Sequence, residues 1–369
     1  MKKYLILSMA LFAFSTQAQV DCTLPPTVGG VQYCPNNGYQ TCSIDVNSVP
    51  FGLQQRFFCF SKPANVADAH AVFMFHGGGH TGKAVAKHWS NQKSSSFIVV
   101  PSARLINGKR KWNTVNVENP NFDDLETTFG HSDTLFMEEL LQALDDQHGC
   151  DLAAPPVPCI KNYYAAGFSS GAAMVFQLLT RTEFSSWFSG YGAVSNYIDE
   201  AKKSPQQPVV GGTVGNINMP FVPVPIFYMM GTDERINLPL KFIISLVEGL
   251  CNDPDLIAND IQCFSDQTDQ TLHSNRLDTA LWLRQRLGTV QDAVIDWYDG
   301  VNSDDTLITS QLYEADPAII DAVSVWVGTV INGGHSWPSI NNAKPDPNHS
   351  EDFETSDMMV KFWTDHAGW

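Results

Sequence analysis

The stretch "NYYAAGFSSGAAMVFQLL", residues 162–179, constrains the fold of this chain more than any other. It opens with the aromatic and small apolar residues of a buried strand and closes with the content of a buried helix. A turn this short between strand and helix requires very small residues two positions before and two positions after its centre. Around Ser169 both positions are glycine, whereas around Ser170 they would be Phe168 and Ala172. The sequence therefore predicts a tight strand–turn–helix unit centred on Ser169.

Strand-like and helix-like segments alternate along most of the chain. Short apolar runs typical of strands cover 56–60, 71–75, 96–100, 162–167, 224–231 and 322–331. Segments with a helical pattern cover 133–146, 169–179, 275–287 and 356–363, the last with Ser356 as its expected N-cap. This alternation predicts an α/β fold, a mostly parallel sheet with helices on both faces. A helical insertion at about 234–274 is expected to interrupt it.

The first 18 residues are predicted to be a secretory signal peptide rather than part of the fold. Two lysines precede an apolar run that ends at Phe14, and small and polar residues follow as far as Ala18. The run is too short to cross a bilayer, and no later stretch reaches transmembrane length. We therefore expect cleavage near Ala18 and a secreted, soluble protein. A cysteine-rich segment at 19–50 and one catalytic-size domain at 51–369 would remain.

Eight cysteines follow the predicted signal peptide. An even number in an oxidising compartment favours four disulfides over free thiols. Cys150 with Cys159 and Cys251 with Cys263 are the expected local pairs, because each pair would close a short loop. The four cysteines before residue 60 are expected to pair among themselves, in an arrangement that the sequence leaves open. No C-x-x-C spacing occurs, so no metal site is predicted.

The acidic composition argues against nucleic acid or an anionic membrane as a partner. The chain has 22 Lys and Arg residues against 39 Asp and Glu residues, a formal net charge of −17. Such a surface repels polyanions, and neutral substrates suit it better. The plainer interpretation is that the charge only keeps the protein soluble.

A glycine-rich loop follows the strand-like run that ends at Phe75. It reads "HGGG" over residues 76–79, a pattern that supplies backbone N–H donors to a developing oxyanion. Glycines let the backbone approach a substrate because no Cβ intervenes. We expect the amide of Gly78 to be the first donor, with Gly79 next, and the amide of Ser170 to be the other. The histidine of the loop is expected to hold it by hydrogen bonds.

A serine nucleophile needs a base, and the base needs a carboxylate that holds its tautomer. Asp233 lies two residues past Gly231, at the end of a buried strand-like run. His335 follows another such run directly, on a glycine-rich loop, whereas His349 lies in a polar loop and His366 is close to the C-terminus. Because residues at the carboxyl ends of parallel strands meet at one edge of the sheet, these positions favour Asp233 and His335 as partners of the serine.

With these residues in this order the chain resembles a known family. "HGGG", "GFSSG", "GTDERI" and "GGHSWP" look like the motifs of polyhydroxybutyrate-depolymerase-type esterases, which shade into secreted feruloyl and acetylxylan esterases. The resemblance runs from about Gly52 to His366, and "GGHSWP" is its most specific element. It implies an α/β-hydrolase fold and a serine carboxylesterase without a cofactor. The triad carried over is Ser169, Asp233 and His335.

The sequence predicts the type of reaction more closely than it predicts the substrate. An ester is expected, either a hydroxyalkanoate polyester or oligomer or a feruloyl or acetyl group on plant polysaccharide. Trp337 and Trp112 are the candidate walls for its acyl or alcohol part. The insertion at 234–274 and the cysteine-rich segment depart from the family and bear on which substrate fits. Two alternatives stay open: a catalytically inactive polysaccharide-binding protein on the same fold, and a serine peptidase.

Overall fold

A computed structural model describes most of the chain after the predicted signal peptide. The described residues are 19–36, 38–48, 52–64, 67–106, 109–112, 133–150, 158–179, 181, 184, 186–197, 223–231, 279–280, 282–284, 287–290, 293–298, 306–331, 333–339, 350 and 354–369. The predicted signal peptide, Asp233, the predicted insertion at 234–274 and the Cys251–Cys263 pair lie outside these residues.

Strands and helices alternate in the described residues. In chain order they are β1 (Val20–Leu24), β2 (Thr27–Val28), β3 (Val31–Gln32), β4 (Gln40–Ser48), β5 (Gly52–Ser61), β6 (Ala69–Phe75), α1 (Gly82–Ala86), a 3₁₀ helix (Lys87–Gln92), β7 (Ser96–Pro101), β8 (Arg104–Ile106), β9 (Lys109–Lys111), α2 (Asp133–His148), β10 (Ile160–Phe168), α3 (Ser170–Leu179), β11 (Phe188–Val194), β12 (Ile226–Gly231), β13 (Val294–Tyr298), β14 (Leu307–Tyr313), β15 (Val325–Ile331) and α4 (Thr355–His366). Within the predicted helix 275–287, residues 279–280, 282–284 and 287 are helical.

A large mixed sheet forms the centre of the molecule. Its strands lie in the order β1-β4-β5-β7-β6-β10-β11-β12-β15-β14-β13. The six strands from β7 to β15 in that order are parallel to one another, and β10 lies between β6 and β11. This is the sheet of an α/β-hydrolase fold, and the predicted α/β class is confirmed. The carboxyl ends of these parallel strands form one edge, where β10 leads into the turn at Ser169.

Antiparallel strands extend the sheet on both sides. β5, β4 and β1 continue it beyond β7, and β14 and β13 continue it beyond β15. Sequence analysis finds only the strand at 56–60 among these. β4 carries six polar residues among nine, but its Cys42, Ile44 and Val46 alternate with them and are buried in the core. The cysteine-rich segment therefore shares a sheet with the domain that follows it.

Helices cover both faces of the sheet, as predicted. Successive residues of a strand point to opposite faces, so Phe73 and Met74 of β6 enter different cores. Phe73 packs in the cluster that contains Phe136 of α2 and Phe176 of α3. Met74 packs in the cluster that contains Trp363 of α4, with residues of α1 and the 3₁₀ helix. Both cores close around the central strands and fix where their carboxyl ends lie.

Three disulfides are present in the described residues. Cys150 pairs with Cys159, which confirms that prediction. The four N-terminal cysteines pair among themselves, as expected, through Cys22–Cys42 and Cys34–Cys59. The first bond joins β1 to β4 and the second ties the residues after β3 to β5. None of the described helices is long and apolar enough to span a membrane.

Candidate active site

Ser169 occupies the sharp turn between β10 and α3. Its backbone has φ of +56°, in the left-handed region that costs a non-glycine residue about 1–2 kcal/mol. The turn is held by three backbone hydrogen bonds. The amide of Ser169 donates to Val194 O at 2.9 Å, and the amides of Ala172 and Ala173 donate to Ser169 O at 2.9 and 3.2 Å. This backbone projects the side chain beyond the carboxyl edge of the sheet, as a nucleophile elbow does.

The two glycines that flank the elbow have no room for a side chain. A Cβ at Gly167 would lie 2.2 Å from the carbonyl oxygen of Gly171. A Cβ at Gly171 would lie 2.1 Å from the carbonyl oxygen of Phe75, at the end of β6. The spacing that singles out Ser169 in the sequence is therefore a steric requirement of the turn and of the neighbouring strand.

His335 reaches Ser169 from the loop after β15. Its Nε2 lies 2.8 Å from Ser169 Oγ, within hydrogen-bond distance. The imidazole lies against the ring of Phe168, with centroids 5.1 Å apart, and is exposed on its other side. With Nε2 unprotonated, this is the geometry in which an imidazole takes the proton of a serine hydroxyl.

The loop that carries His335 is fastened to the neighbouring elements. Ser195, directly after β11, donates from Oγ to the carbonyl oxygen of Ser336 at 3.3 Å. Farther along, the hydroxyl of Thr355 donates to Pro338 O at 2.8 Å. The hydroxyl of Ser339 donates to the buried carboxylate of Glu354 at 2.5 Å. These bonds hold the loop against β11 on one side and α4 on the other.

Glu354 rather than Ser356 caps α4, so the predicted N-cap is wrong. The helix begins at Thr355, and Glu354 is the extended residue before it. Its carbonyl oxygen accepts the amides of Asp357 and Met358, both at 3.1 Å. The hydroxyl of Ser356 instead donates to the Glu354 carboxylate at 3.1 Å. Glu354 is a rare N-cap residue, and its carboxylate accepts hydrogen bonds from Ser339 of the His335 loop and from Ser356 of the helix.

Asp233, the predicted acid, lies outside the described residues, but the strand that leads to it does not. β12 runs parallel to β15 as far as the pair Gly231 and Val330. A Cβ at Gly231 would lie 2.3 Å from the carbonyl oxygen of Gly333. The chain thus leaves β12 in contact with the loop that carries His335, two residues before Asp233.

The "HGGG" loop passes directly over the elbow. A Cβ at Gly77 would lie 3.4 Å from the Cβ of Ser169, and a Cβ at Gly78 would lie 3.6 Å from the Oγ of Ser170. Gly79 has φ of +79°, and its amide donates to the carbonyl oxygen of Arg110 at 2.8 Å. That bond occupies the amide of the second predicted donor, which leaves Gly78 as the better placed of the two.

His76 and Trp112 hold this loop from beneath. The Nδ1–H of His76 donates to Gly77 O at 2.7 Å, and its Nε2 accepts the amide of Ala103 at 2.9 Å. Burial lowers the pKa of His76 to about 4, so the ring is neutral, as both bonds require. The indole of Trp112 donates to His76 O at 2.7 Å. Trp112 is buried, and its position is that of a support for the loop rather than a wall of the pocket.

A pocket of about 710 Å³ opens in front of Ser169 and His335. The glycines of the "HGGG" loop line one side of it and Phe168 lines another. Trp337 also lines it, with its ring stacked on His88 at a centroid distance of 5.4 Å. The remaining wall is the segment from Thr81 to His88, which contains α1. Of the two predicted tryptophan walls, Trp337 lies at the pocket and Trp112 does not.

One residue of the site that sequence analysis misses is Asn196. Its Nδ2 donates to the carbonyl oxygen of Ser169 at 2.8 Å, and its Oδ1 accepts the amide of Tyr197 at 2.8 Å. It therefore holds the elbow from the residues that follow the neighbouring strand β11. Ser195 and Asn196 are polar residues directly after a buried strand, the same signal that identifies Asp233 and His335 in the sequence.

One group among the described residues has the donor types of a metal site. Asp68, Cys150 and Cys159 bring a carboxylate and two sulfur atoms together. The two sulfur atoms are joined in a disulfide, so they are not thiolates and do not form a metal site. The group lies at the amino edge of the sheet, away from Ser169.

Comparison with known proteins gives only distant likenesses. No protein family model and no curated protein matches the chain. Among solved structures, a carboxylesterase from Bacillus cereus is 17% identical with a TM-score of 0.33, covering 49% of this chain and 73% of the other. An S-formylglutathione hydrolase from Agrobacterium tumefaciens is 14% identical with a TM-score of 0.36, covering 69% and 98%. At these values the likeness assigns no activity, which has to come from the chemistry of the site.

Proposed function

We propose that the protein is a secreted serine carboxylic ester hydrolase that works through an acyl-enzyme. The observation that carries this proposal is the 2.8 Å contact between Ser169 Oγ and His335 Nε2 at a left-handed elbow. A hydroxyl with its base already in place, at the mouth of a pocket, has the arrangement of an activated nucleophile.

The proposed reaction has two halves. Ser169 Oγ attacks the ester carbonyl while its proton passes to His335 Nε2, and the oxyanion accepts hydrogen bonds from the amides of Ser170 and Gly78. The intermediate then expels the alcohol, which takes the proton from His335, and leaves the acyl group on Ser169. Water, deprotonated by His335, attacks the acyl-enzyme; the bond to Ser169 Oγ then breaks, Oγ takes the proton back from His335, and the acid is released. Each oxyanion donor typically contributes about 3–4 kcal/mol of transition-state stabilisation.

Asp233 is the proposed third member of the triad. Its support is the position of β12, which ends at Gly231 against the loop of His335. A carboxylate two residues farther on would hold the imidazole tautomer that leaves Nε2 free to accept a proton, and would stabilise the imidazolium.

The proposed substrates are hydroxyalkanoate polyesters or oligomers and feruloyl or acetyl esters of polysaccharide. Support comes from the open pocket and from the sequence motifs shared with esterases of those substrates. Trp337 is proposed to contact the acyl or alcohol group, because it lines the pocket beside His335. Secretion is supported by the N-terminal sequence and by three disulfides in the described residues.

Hydrolysis of p-nitrophenyl acetate and butyrate tests the reaction. Ser169→Ala is expected to lose about 10⁴-fold or more in kcat, whereas Ser90→Ala, at an exposed serine, is expected to retain the wild-type rate. Full activity in Ser169→Ala would show that another group is the nucleophile.

The same assays distinguish the alternative functions. Inactive wild-type protein that still binds polysaccharide would favour the inactive binding protein, and cleavage of peptides in preference to esters would favour a peptidase. Methyl ferulate, acetylated xylan and polyhydroxybutyrate film then distinguish the substrates.

A further inference from the structure

The side-chain hydroxyl of Ser170 is a buried donor that bonds to nothing in the described part of the chain. Ser170 is the first residue of α3 and follows the nucleophile Ser169 directly. Its Oγ is buried and has no hydrogen-bond partner among the described residues. A buried hydroxyl without a partner costs about 1–3 kcal/mol. Such a group in a folded protein calls for an explanation, and a catalytic role is one.

No hydrogen bond to the described residues holds this hydroxyl in its resting position. A serine at the start of a helix commonly accepts a backbone amide of the first turn on its Oγ. In α3 the amides of Ala172 and Ala173 donate instead to the carbonyl oxygen of Ser169, at 2.9 and 3.2 Å. Rotation of Ser170 about χ1 to another staggered position therefore breaks no bond to the described residues.

The hydroxyl lies close to both expected oxyanion donors. One donor is the amide of Ser170 itself, which only two carbon atoms separate from Oγ, so both groups of one serine can reach the same anion. The other donor is the amide of Gly78, where a Cβ would lie 3.6 Å from Ser170 Oγ and within 4 Å of no other described atom outside its chain neighbours. Gly78 is exposed and lines the pocket, so the space beside the hydroxyl opens on the pocket.

We propose that the Ser170 hydroxyl is a third hydrogen-bond donor to the oxyanion, together with the amides of Ser170 and Gly78. The inference deepens the proposed function and rests on it. As Ser169 Oγ attacks, the electron pair of the carbonyl π bond moves to the oxygen. The Ser170 hydroxyl turns toward that charge, donates to it and keeps its own proton. The carbonyl of the bound substrate is a weaker acceptor, so this bond acts on kcat rather than on KM.

Ser170→Ala tests the proposal through kinetics and stability together. We expect kcat for p-nitrophenyl butyrate to fall about 10- to 100-fold with KM little changed. The melting temperature should stay the same or rise, because the variant removes an unpaired buried hydroxyl and alanine is the better helix former. A wild-type kcat would overturn the proposal. So would a loss of kcat accompanied by a lower melting temperature, which is the result expected of a purely structural hydroxyl.

Thr41→Val is the matched control. Thr41 Oγ1 is also buried without a hydrogen-bond partner among the described residues, and three strands lie between β4 and β10 in the sheet. Its removal should leave both the melting temperature and kcat at or above the wild-type values. An equal loss of kcat in Thr41→Val and Ser170→Ala would refute the specific role of Ser170.

Two further variants of Ser170 separate the hydroxyl from the volume of the side chain. Ser170→Thr keeps the hydroxyl, whereas Ser170→Cys replaces it with a thiol, a weak donor. Both side chains are larger than serine, so the comparison does not depend on the loss of volume. We expect kcat to be higher in Ser170→Thr than in Ser170→Cys. The reverse order would contradict the proposal.

Binding of butyl trifluoromethyl ketone separates this inference from the proposed function. Ser169 Oγ adds to its carbonyl carbon, the proton passes to His335, and the adduct carries an oxyanion with no alcohol to expel. A weaker affinity in Ser170→Ala, by about the factor lost in kcat, supports the inference even if wild type hydrolyses no ester, which would refute the esterase. Ester hydrolysis with equal ketone affinity in wild type and Ser170→Ala keeps the esterase and refutes the inference. Neither hydrolysis nor ketone binding by wild type would refute both.

Discussion

The backbone of Gly231 touches the carbonyl oxygen of Gly333 so closely that a Cβ at position 231 would lie 2.3 Å from it. This contact joins the end of β12 to the loop that presents His335. Gly231→Ala is therefore expected to push the loop away from β12 and to lengthen the bond from His335 to Ser169. Because displacement of a catalytic group by about 1 Å can cost about 100-fold in rate, we expect kcat to fall by that order, measured with p-nitrophenyl butyrate.

Gly328→Ala is the matched control for that change. It lies in β15, and a Cβ there would meet the ring of Trp326 at 2.4 Å, so it overpacks the same region without touching the His335 loop. Both variants should lower the melting temperature. Only Gly231→Ala should lower kcat by more than about tenfold, and equal losses of kcat in the two would refute the specific role of the contact.

The Cys34–Cys59 disulfide is expected to support the active-site loop as well as the fold. It anchors the segment in which Gln32 O accepts the hydroxyl of Thr81 at 3.2 Å and Tyr33 O accepts the amide of Lys83 at 2.6 Å. Cys34→Ser/Cys59→Ser should therefore lower the free energy of unfolding by about 2–5 kcal/mol and also lower kcat/KM.

The Cys150–Cys159 disulfide provides the comparison. It closes a short loop at the amino edge of the sheet, with a sequence separation of nine residues. Cys150→Ser/Cys159→Ser is expected to reduce stability and to leave kcat/KM near the wild-type value at a temperature where both variants are folded. If the two double variants lose activity to the same extent, the Cys34–Cys59 disulfide has no specific role in supporting the pocket.

Asn196 is expected to hold the elbow in its strained conformation. Asn196→Asp keeps the size of the side chain but replaces the N–H donor to Ser169 O with an oxygen, so a hydrogen bond becomes a repulsion. The bond is partly buried, and loss of a fully buried partner costs about 1–3 kcal/mol, so we expect kcat to decrease by up to about 100-fold with little change in KM.

The same substitution elsewhere controls for stability. Asn162 donates from Nδ2 to Gly368 O at 3.1 Å at the amino end of β10, far from Ser169. Asn162→Asp should reduce the melting temperature with kcat retained. An Asn196→Asp variant with wild-type kcat would show that the elbow keeps its conformation without this bond.

The sequence predicts those parts of the site that depend on the glycines of the turn or that follow directly after a buried strand. The glycines around Ser169 mark it because a Cβ at Gly167 would clash within the turn and a Cβ at Gly171 would clash with the end of β6. His335 is found because it follows a buried strand, and parallel strands bring their carboxyl ends together. The same rule would have identified Asn196.

What the sequence misses depends on contacts between distant segments. The amide of Gly79 is taken by Arg110 O, and the Trp112 ring lies beneath His76 instead of in the pocket. Neither contact has a local signature. β4 is a different case, because Cys42, Ile44 and Val46 alternate with polar residues and are buried in the core, a local strand pattern that the sequence analysis did not use.

The protein should become less stable as the pH falls from about 6.5 to 4, because over this range His76 binds a proton in the unfolded state only. Burial lowers its pKa from 6.5 to about 4 in the folded protein, whereas the unfolded chain keeps the ordinary value. Above pH 6.5 the ring is neutral in both states and contributes no pH dependence. Between 6.5 and 4 only the unfolded state binds the proton, so the free energy of unfolding decreases by up to about 1.4 kcal/mol per pH unit as pH falls, and the effect levels off below 4.

Urea unfolding from pH 4 to pH 8 measures this slope, and His76→Gln separates His76 from the other histidines. Burial also lowers the pKa of His70 and of His148 to about 4, so their contributions have the same sign and remain in the variant. We expect His76→Gln to be less stable than wild type at pH 7, because the bonds to Gly77 and Ala103 change, and to show a shallower decline toward pH 4. If the free energy of unfolding of His76→Gln declines as steeply as that of wild type, His76 does not contribute to the pH dependence.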